Sequence, residues 1–280
     1  MLANTRMYSV NPAAKAAWQQ VLRWCLARAR LPWQVIDHDP PASISELWAR
    51  NDIGVMQMCG LPYAVRKPVP RLIAAPVPSP ARYGGRAVYF SDLAVRADAP
   101  YQRIEDTFGA RIGWTLPDSQ SGYFALRYYL LQLHQQRKAA SGGTTEGLRP
   151  GGPWFGEVVP RLIHPRGVIQ ALLDGRIDVG PLDGYSHDLI RHSEPEIARS
   201  IRVLATTTPT AMPPFVSTHP DASEADLQRL REAFLAVHEE PSLAEARSVI
   251  LLERFATVAP RDYALTRERH DEVLAAPERW

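Results

Sequence analysis

The sequence lacks the short motifs that identify the common classes of enzyme. It contains no HExxH zinc motif, no CxxC pair, no GxGxxG or GxxxxGK[ST] nucleotide loop and no GxSxG nucleophile elbow. It has only two cysteines, Cys25 and Cys59, which fall in a helix-like and a strand-like segment. Neither a disulfide framework nor a metal site follows from that spacing. The sequence therefore predicts two buried thiols, no metal and no other cofactor.

Long apolar runs and a large excess of one charge are absent as well. No run approaches the roughly 18 apolar residues of a membrane-spanning helix, and the first residues lack the charged start and apolar centre of a secretory signal. The 32 basic and 30 acidic residues leave a net charge of +2, which is too small for a nucleic-acid-binding surface. We therefore expect a soluble chain without a nucleic-acid partner. It is periplasmic if a signal peptide is missing from this chain, and otherwise cytoplasmic.

What the sequence does have is an alternation of strand-like and helix-like segments, which favours sheets with helices on both faces. Asn11 and Pro12 fit the N-cap and first residue of a helix, and Ser43 with Glu46 fits a capping box. The extended segment RAVYFSDLAVRAD, residues 86–98, is long for one strand. Such a segment is typical of a chain that leaves one lobe and enters another.

The composition and spacing of two further segments predict a loop and a helical tail. Residues 137–153 are rich in glycine, proline, serine and threonine, which predicts a mobile surface loop. The tail from residue 221 is predicted to be mostly helical, including SLAEARSVILLERF at residues 242–255.

The segment DSQSG, residues 118–122, joins a strand-like segment to a long helix-like one. Ser119 or Asp118 can cap that helix, and the serine hydroxyls then lie beside the free backbone N–H groups of the first turn. Because a helix N-terminus carries partial positive charge, this arrangement suits an anion. A simple N-cap without a ligand is the alternative that the local pattern leaves open.

Four segments, one of which contains that turn, together indicate a protein family. They are MCGLPY (58–63), AVYFSDLAVRAD (87–98), DSQSGYFALR (118–127) and ALLDGRIDVGPLDGY (171–185). In this order they resemble the periplasmic-binding-protein-like substrate-binding components of phosphate, phosphite and phosphonate ABC transporters. The resemblance implies an α/β fold of two lobes, the type 2 periplasmic-binding-protein-like fold, in which each lobe is a mixed β-sheet flanked by helices.

The resemblance also implies how the chain is divided and what it does. We expect one lobe to comprise residues 1–88 and 207–280 and the other residues 89–206, with a ligand cleft between the lobes. The implied function is capture of a small oxyanion, phosphonate-like or phosphate-like, by hinge closure. The implied partners are that small anionic ligand and the membrane permease of an ABC transporter, and the implied oligomeric state is a monomer.

Carried onto this sequence, the resemblance assigns the oxyanion contacts to Ser119, Gln120, Ser121 and Gly122. Gln120 is an amide donor at a position where threonine or serine is common. Hydroxyl and N–H donors bind an oxyanion without a buried full charge that would need its own partner.

Asp183 ends the strand-like segment IDVGPLD and is expected to face the cleft, because ligands of open α/β sheets bind beyond the carboxyl ends of strands. A carboxylate there suits an ammonium group on the ligand or a protonated oxyanion, and an N-cap of the next helix is the alternative. Tyr8 and Tyr63 are candidates for the wall of the first lobe, with ordinary packing as the alternative for each.

His164 and Arg166 are further candidate contacts. His164 lies near the place of a histidine that phosphonate binders often have. Pro165, however, stands where a capping residue is expected, and this departure puts phosphonate itself in question more than the oxyanion class.

Two other classes of function remain open. An enzyme of the same fold, of the thiamine-pyrimidine or menaquinone-precursor type, needs a nucleophile or a general acid and base, and His164 with Asp183 is the available pair. A cytoplasmic ligand sensor needs a partner surface instead of a transporter. His187 and His192 are five residues apart, off one helical face, and are expected on the surface.

Overall fold

The computed structural model describes residues 1–140 and 154–276 of the 280. Its strands are β1 (Leu2–Asn4), β2 (Gln34–Val35), β3 (Ile53–Gln57), β4 (Arg71–Pro78), β5 (Val88–Tyr89), β6 (Ser91–Arg96), β7 (Arg111–Gly113), β8 (Glu157–Val159), β9 (Gly180–Asp183), β10 (Ile201–Thr206), β11 (Thr210–Ala211), β12 (Phe215–Ser217) and β13 (Leu252–Ala256).

The α-helices alternate with these strands along the chain. They are α1 (Pro12–Arg28), α2 (Ile44–Ala49), α3 (Gly60–Val65), α4 (Ala125–Ala140), α5 (Pro165–Leu173), α6 (Gly184–Ser193), α7 (Pro195–Ser200), α8 (Glu224–Leu235), α9 (Ala244–Val249) and α10 (Ala264–Ala275). Within the described ranges, no helix combines the length and apolarity needed to cross a membrane. Most of the predicted loop, residues 141–153, lies outside the described residues.

Contacts between Cα atoms divide the chain into two units. The first comprises Met1–Tyr89 and Thr210–Ala264, and the second comprises Phe90–Pro209 and the residues from Leu265 onward. The boundaries of the expected lobes differ from those of the units by a few residues at the first two points where the chain passes from one unit to the other. They differ more at the end of the chain, because α10 belongs to the second unit rather than the first: its Arg269 donates to the carbonyl oxygens of Thr208 and Pro209.

The first unit is built on a six-stranded mixed sheet in the order β13-β4-β12-β3-β1-β2. β1 is parallel to both β2 and β3, whereas β12 is antiparallel to β3 and β4. The predicted cap of α1 is confirmed, since Asn11 Oδ1 accepts the N–H of Ala14 at 2.7 Å and Pro12 opens the helix. Ser43 caps α2 in the same way through the N–H of Glu46.

One predicted helix in this unit is partly wrong. The segment 242–255 was expected to be helical throughout, but it forms α9 and then the strand β13, which runs antiparallel to β4. Leu251 lies between them with a φ of 48°, a left-handed conformation that ends the helix. Burial of Phe255 against the rings of Phe215 and Phe234, with centroids 5.8 and 4.8 Å away, outweighs the helical propensity of this segment.

Both cysteines lie in the core of the first unit. Cys25, on α1, is 0% exposed, and Cys59, just before α3, is 2% exposed. Neither forms a disulfide, and burial raises the pKa of the Cys25 thiol well above its usual value. The prediction of two buried thiols is confirmed.

The second unit combines antiparallel and parallel pairings. β6 lies between β9 and β10 and is antiparallel to both, while β7 and β8 are parallel. The long extended segment predicted at residues 86–98 is two strands separated at Phe90: β5 pairs with β11 in the first unit, and β6 belongs to the second. The chain passes from one unit to the other within this segment, as its length indicated.

Candidate functional site

The candidate site is the segment that leads from β7 into α4, and we call residues 119–122 the serine turn. The helix begins with a π-helical segment, Gln120–Phe124, before it continues as α4. Ser119 is its N-cap: Ser119 Oγ accepts the N–H of Gly122 at 2.9 Å, and the Ser119 carbonyl accepts the N–H of Phe124 at 3.1 Å. Between the two predicted caps, the structure shows Ser119 in this role. Such π-helical turns are rare in proteins and are often found at functional sites.

Gly122 is the tightest position in the serine turn. A Cβ atom there would lie 1.8 Å from Oγ1 of Thr115 and 2.9 Å from Oγ of Ser119. Thr115 also donates its N–H to the Gly122 carbonyl at 3.3 Å. The turn therefore folds back closely on the segment after β7, and glycine is the residue that allows this approach.

Ser121 joins the serine turn to the end of strand β9. Its carbonyl oxygen accepts the hydroxyl of Ser91 at 2.7 Å, and its side chain is hydrogen-bonded to Asp183. Ser91 and Asp183 are directly opposite each other in the pairing of β6 with β9. The structure thus brings two of the predicted residues, Ser121 and Asp183, into contact although they are far apart in the sequence.

Asp183 also caps a helix. Its Oδ1 accepts the N–H of Ser186 at 2.9 Å, so the capping alternative for this residue is confirmed. The side chain is 5% exposed, and burial raises its pKa to about 6 from the ordinary 3.8, against hydrogen bonds from Ser186 and Ser121 that favour the carboxylate. Near neutral pH this group is an acceptor beside the serine turn, and below about pH 6 it becomes a donor as well.

Gln120 is buried at the start of the π-helical segment, with 3% of its surface exposed. Its Oε1 atom has no hydrogen-bond partner within the described part of the chain. The side chain lines a small cavity together with residues of α4 and α10, including Tyr128 and Arg269. The Gln120 side chain therefore lies inside the second unit, next to residues of α4 and α10.

His164 and Arg166 both interact with other residues of the protein. His164 is the N-cap of α5, and its Nδ1 accepts the N–H of Gly167 at 3.1 Å. Pro165 is the first helical residue, a position that proline favours, so it does not displace the cap as its place in the sequence suggested. Arg166 forms an ion pair with both carboxylate oxygens of Glu194.

Tyr8 and Tyr63 belong to the first unit, and both rings are buried there. Tyr63 lies on α3, where the predicted turn of MCGLPY is helical, and its ring packs on Tyr263 with centroids 4.6 Å apart. Burial raises the pKa of Tyr63. These contacts agree with the packing alternative, and a ligand contact by either tyrosine stays a prediction.

A buried cluster in the second unit was missed by sequence reasoning. His187 was expected on the surface but is 3% exposed, and its Nδ1 lies 2.8 Å from Oδ2 of the fully buried Asp92. The hydroxyl of Thr206 donates to the other carboxylate oxygen, Oδ1, at 2.8 Å. An aspartate inside the apolar strand β6 was the available signal, because a buried carboxylate needs partners. His192, by contrast, is exposed.

Residues 12–263 match the model of a protein family described as "ABC transporter, phosphonate, periplasmic substrate-binding protein". The chain belongs to this family. The resemblance stated from the sequence is confirmed, and the family is one of transporter binding proteins rather than enzymes. Its members are periplasmic, and membership implies a small ligand and a permease partner. A search of curated proteins finds no significant match.

Solved structures show the fold. A binding-protein component of an ABC phosphonate transporter from Pseudomonas aeruginosa has a TM-score of 0.76 at 16% identity, covering 98% of this chain and 86% of that chain. PhnD1 of Prochlorococcus marinus, in complex with methylphosphonate, has a TM-score of 0.76 at 13% identity, covering 98% of both chains. The aliphatic sulphonate binding protein SsuA of Escherichia coli has a TM-score of 0.55 at 16% identity, covering 99% and 89%. The predicted type 2 periplasmic-binding fold is confirmed.

Proposed function

We propose that this protein captures a small phosphonate-like or phosphate-like oxyanion at the serine turn and delivers it to an ABC permease. The observation that carries the proposal is the contact between Ser121 and Asp183 at the start of a long helix. Family membership supports the ligand class and the permease. The methylphosphonate bound to PhnD1 supports the choice of phosphorus oxyanions as first probes.

The chemistry of the serine turn suits such a ligand. The first N–H groups of a helix have no partner within the helix and point along its axis, where the helix dipole favours negative charge. The hydroxyl of Ser121 adds a polar contact, and the Gln120 amide adds a further donor in this proposal. Together they bind oxygen atoms through directed hydrogen bonds.

Asp183 contributes to selectivity in this proposal. Its carboxylate, ionised at neutral pH, repels a fully ionised oxyanion but accepts a hydrogen bond from a protonated oxygen or from an ammonium group. Sulfate and taurine have no protonated oxygen on sulfur near neutral pH, although taurine carries an ammonium group. The comparison of these two sulfur compounds with phosphate and 2-aminoethylphosphonate therefore separates the two possible partners of Asp183.

The test is a thermal melt against phosphate, phosphite, methylphosphonate, 2-aminoethylphosphonate, sulfate and taurine, followed by titration calorimetry. A ligand at about 100 times its dissociation constant stabilises the native state by roughly 2.7 kcal/mol, which raises the melting temperature measurably. We expect at least one phosphorus oxyanion to do so. A melting temperature that none of them changes would contradict the proposal.

Ser121→Ala tests the site itself. We expect it to weaken binding of that oxyanion by about tenfold or more, because a hydrogen bond to a charged group is lost. Ser193→Ala is the matched control, since the Ser193 hydroxyl donates to the Leu189 carbonyl at the far end of α6. If Ser121→Ala bound the oxyanion with unchanged affinity, the binding site would lie elsewhere than at the serine turn.

Three finer expectations belong to the same proposal. Capture by hinge closure, a monomeric state and export to the periplasm stay predictions. Light scattering of the purified protein measures the oligomeric state, and fractionation of cells that express the intact gene shows whether the product is exported.

A further inference from the structure

A small cavity lies beside Gln120 within the second unit. It is lined by Gln120, Ala125, Tyr128, Tyr129, Thr207, Thr208 and Arg269. The space available to the centre of a water molecule is about 10 Å³. That is close to the smallest volume that holds one water molecule, and the lining offers hydroxyl, amide and guanidinium groups.

Two of these lining residues each carry a buried polar atom that has no hydrogen-bond partner among the residues that the structure describes. The two atoms are the acceptor Oε1 of Gln120 and the donor Nε of Arg269, and both are buried. Leaving a buried donor and a buried acceptor unpaired is unfavourable, and native proteins seldom do so. Gln120 lacks a hydrogen-bond donor and Arg269 lacks an acceptor. The cavity that they line therefore suits a small molecule that both donates and accepts hydrogen bonds.

Arg269 cannot easily turn its Nε towards another partner. Its Nη1 donates to the carbonyl oxygens of Thr208 and Pro209 at 3.4 and 3.2 Å. Its guanidinium group lies over the ring of Tyr128, 5.0 Å from the ring centroid. These contacts hold the guanidinium plane, and with it the direction of the Nε–H bond.

We infer that this cavity binds one water molecule, which accepts from Arg269 Nε and donates to Gln120 Oε1. The bridge makes Arg269 a positioning residue for the serine turn. An amide presents either its oxygen or its nitrogen depending on a rotation that changes its shape very little. Fixing Oε1 towards Arg269 fixes the direction of the N–H groups, so that the amide offers a donor rather than an acceptor to an anion.

This inference rests on the proposed function, because it concerns the Gln120 amide of that site. Its first test needs no ligand. A high-resolution crystal structure of the ligand-free protein should show a water molecule within hydrogen-bond distance of Gln120 Oε1 and Arg269 Nε. An empty cavity, or a direct hydrogen bond between the two side chains, would overturn the inference whether or not any oxyanion binds.

The second test measures coupling in binding, with methylphosphonate and inorganic phosphate as probes. We expect Arg269→Met and Gln120→Leu each to weaken binding about tenfold, and the double variant to bind no more weakly than Gln120→Leu alone. Arg269→Lys keeps the charge but not the planar Nε donor, so it should behave like Arg269→Met. Arg267→Met is the control, because Arg267 lies on the same helix, is exposed and pairs with Asp271.

The readout separates positioning from structural support. If Arg269 only supports the fold, its loss lowers the melting temperature and either leaves the affinity unchanged or weakens binding independently of Gln120. Unchanged affinity in Arg269→Met, or losses that add in the double variant, would overturn the inference. If the wild-type protein binds neither probe while the water molecule is present, the proposed function fails and the bridge stands.

Discussion

The carboxyl group of Asp183 makes the stability of the protein depend on pH. In the folded protein it keeps its proton up to about pH 6, whereas in the unfolded chain it ionises near its ordinary pKa of 3.8. Between these values folding takes up a proton, so stability falls as the pH rises through this window. Above about pH 6 the full cost of the buried charge is present.

We expect Asp183→Asn to remove this dependence. The asparagine side chain still accepts the N–H of Ser186 but carries no charge. Relative to the wild type, the variant should gain up to about 3 kcal/mol in its free energy of unfolding between pH 4 and pH 7. Urea titrations of the ligand-free proteins across that range measure the difference. If the free energies of unfolding of the wild type and the variant changed with pH in parallel, Asp183 would have an ordinary pKa.

The lack of space at Gly122 gives a second prediction at the scale of one residue. In Gly122→Ala the new methyl group would overlap the side chain of Thr115, so the serine turn must shift. We expect a loss of about 1 to 3 kcal/mol in the free energy of unfolding, as for other overpacked positions, and weaker oxyanion binding. Calorimetric melts and titrations measure both.

Gly60→Ala is the matched control for this substitution. A Cβ at Gly60 would be 3.6 Å from its nearest neighbour, which is an ordinary contact. Thr115→Gly in the Gly122→Ala background should restore part of the lost binding, because it removes the overlapping atoms. A Gly122→Ala protein as stable and as tight-binding as the wild type would contradict the close approach.

Local patterns predict single residues of this site better than contacts between them. A cap at Ser119 or Asp118 follows from sequence neighbours alone, since a capped N–H is only a few residues away, and the structure shows that Ser119 is the cap. The contact of Ser121 with Asp183 and the pair of Asp92 with His187 depend on the pairing of β6 with β9 and on the packing of α6. No periodicity in one segment specifies such pairings, and the surface prediction for His187 was wrong for this reason.

At the scale of a helix, Ser119 has two roles that a substitution can separate. The residue caps the helix start, and it belongs to the proposed anion site. Ser119→Ala should cost about 1 kcal/mol of stability through loss of the cap and should weaken binding. Ser119→Asp should restore the cap and the stability but not the binding, because a carboxylate at the turn repels the oxyanion.

Melting temperature and affinity, measured on both variants, decide between these roles. If Ser119→Asp binds the oxyanion as tightly as the wild type, the anion does not approach this end of the helix. If it is no more stable than Ser119→Ala, the hydrogen bond to Gly122 is not a significant cap.

Elements with local start and stop signals were the most predictable part of the fold. Asn11 with Pro12 marks the start of α1, and Ser43 marks that of α2. β13 was missed because its residues have fair helix propensity and become a strand only through pairing with β4 and burial of Phe255. A short strand at the edge of a sheet is decided by tertiary contacts that a single sequence does not display.

At the scale of the whole molecule, the chain passes between the units three times, and the third passage places α10 on the second unit. Its contacts there include Arg269 with Thr208 and the ring of His270 against Phe124, with centroids 4.5 Å apart. We expect a chain that ends at Ala264 to lose hydrogen-exchange protection around Gln120 and α4, while α1 of the first unit stays protected. Equal loss in both units would contradict this division.

The burial of both natural thiols has a practical consequence. Cys25 and Cys59 are inaccessible, and burial opposes ionisation of the Cys25 thiol, so reagents that attack thiolates should leave the native protein unmodified. A cysteine introduced at the exposed Pro117, two residues before the serine turn, would then be the one reactive attachment point for an environment-sensitive dye. The wild-type sequence is in this respect already a low-background scaffold for an optical sensor of its own ligand.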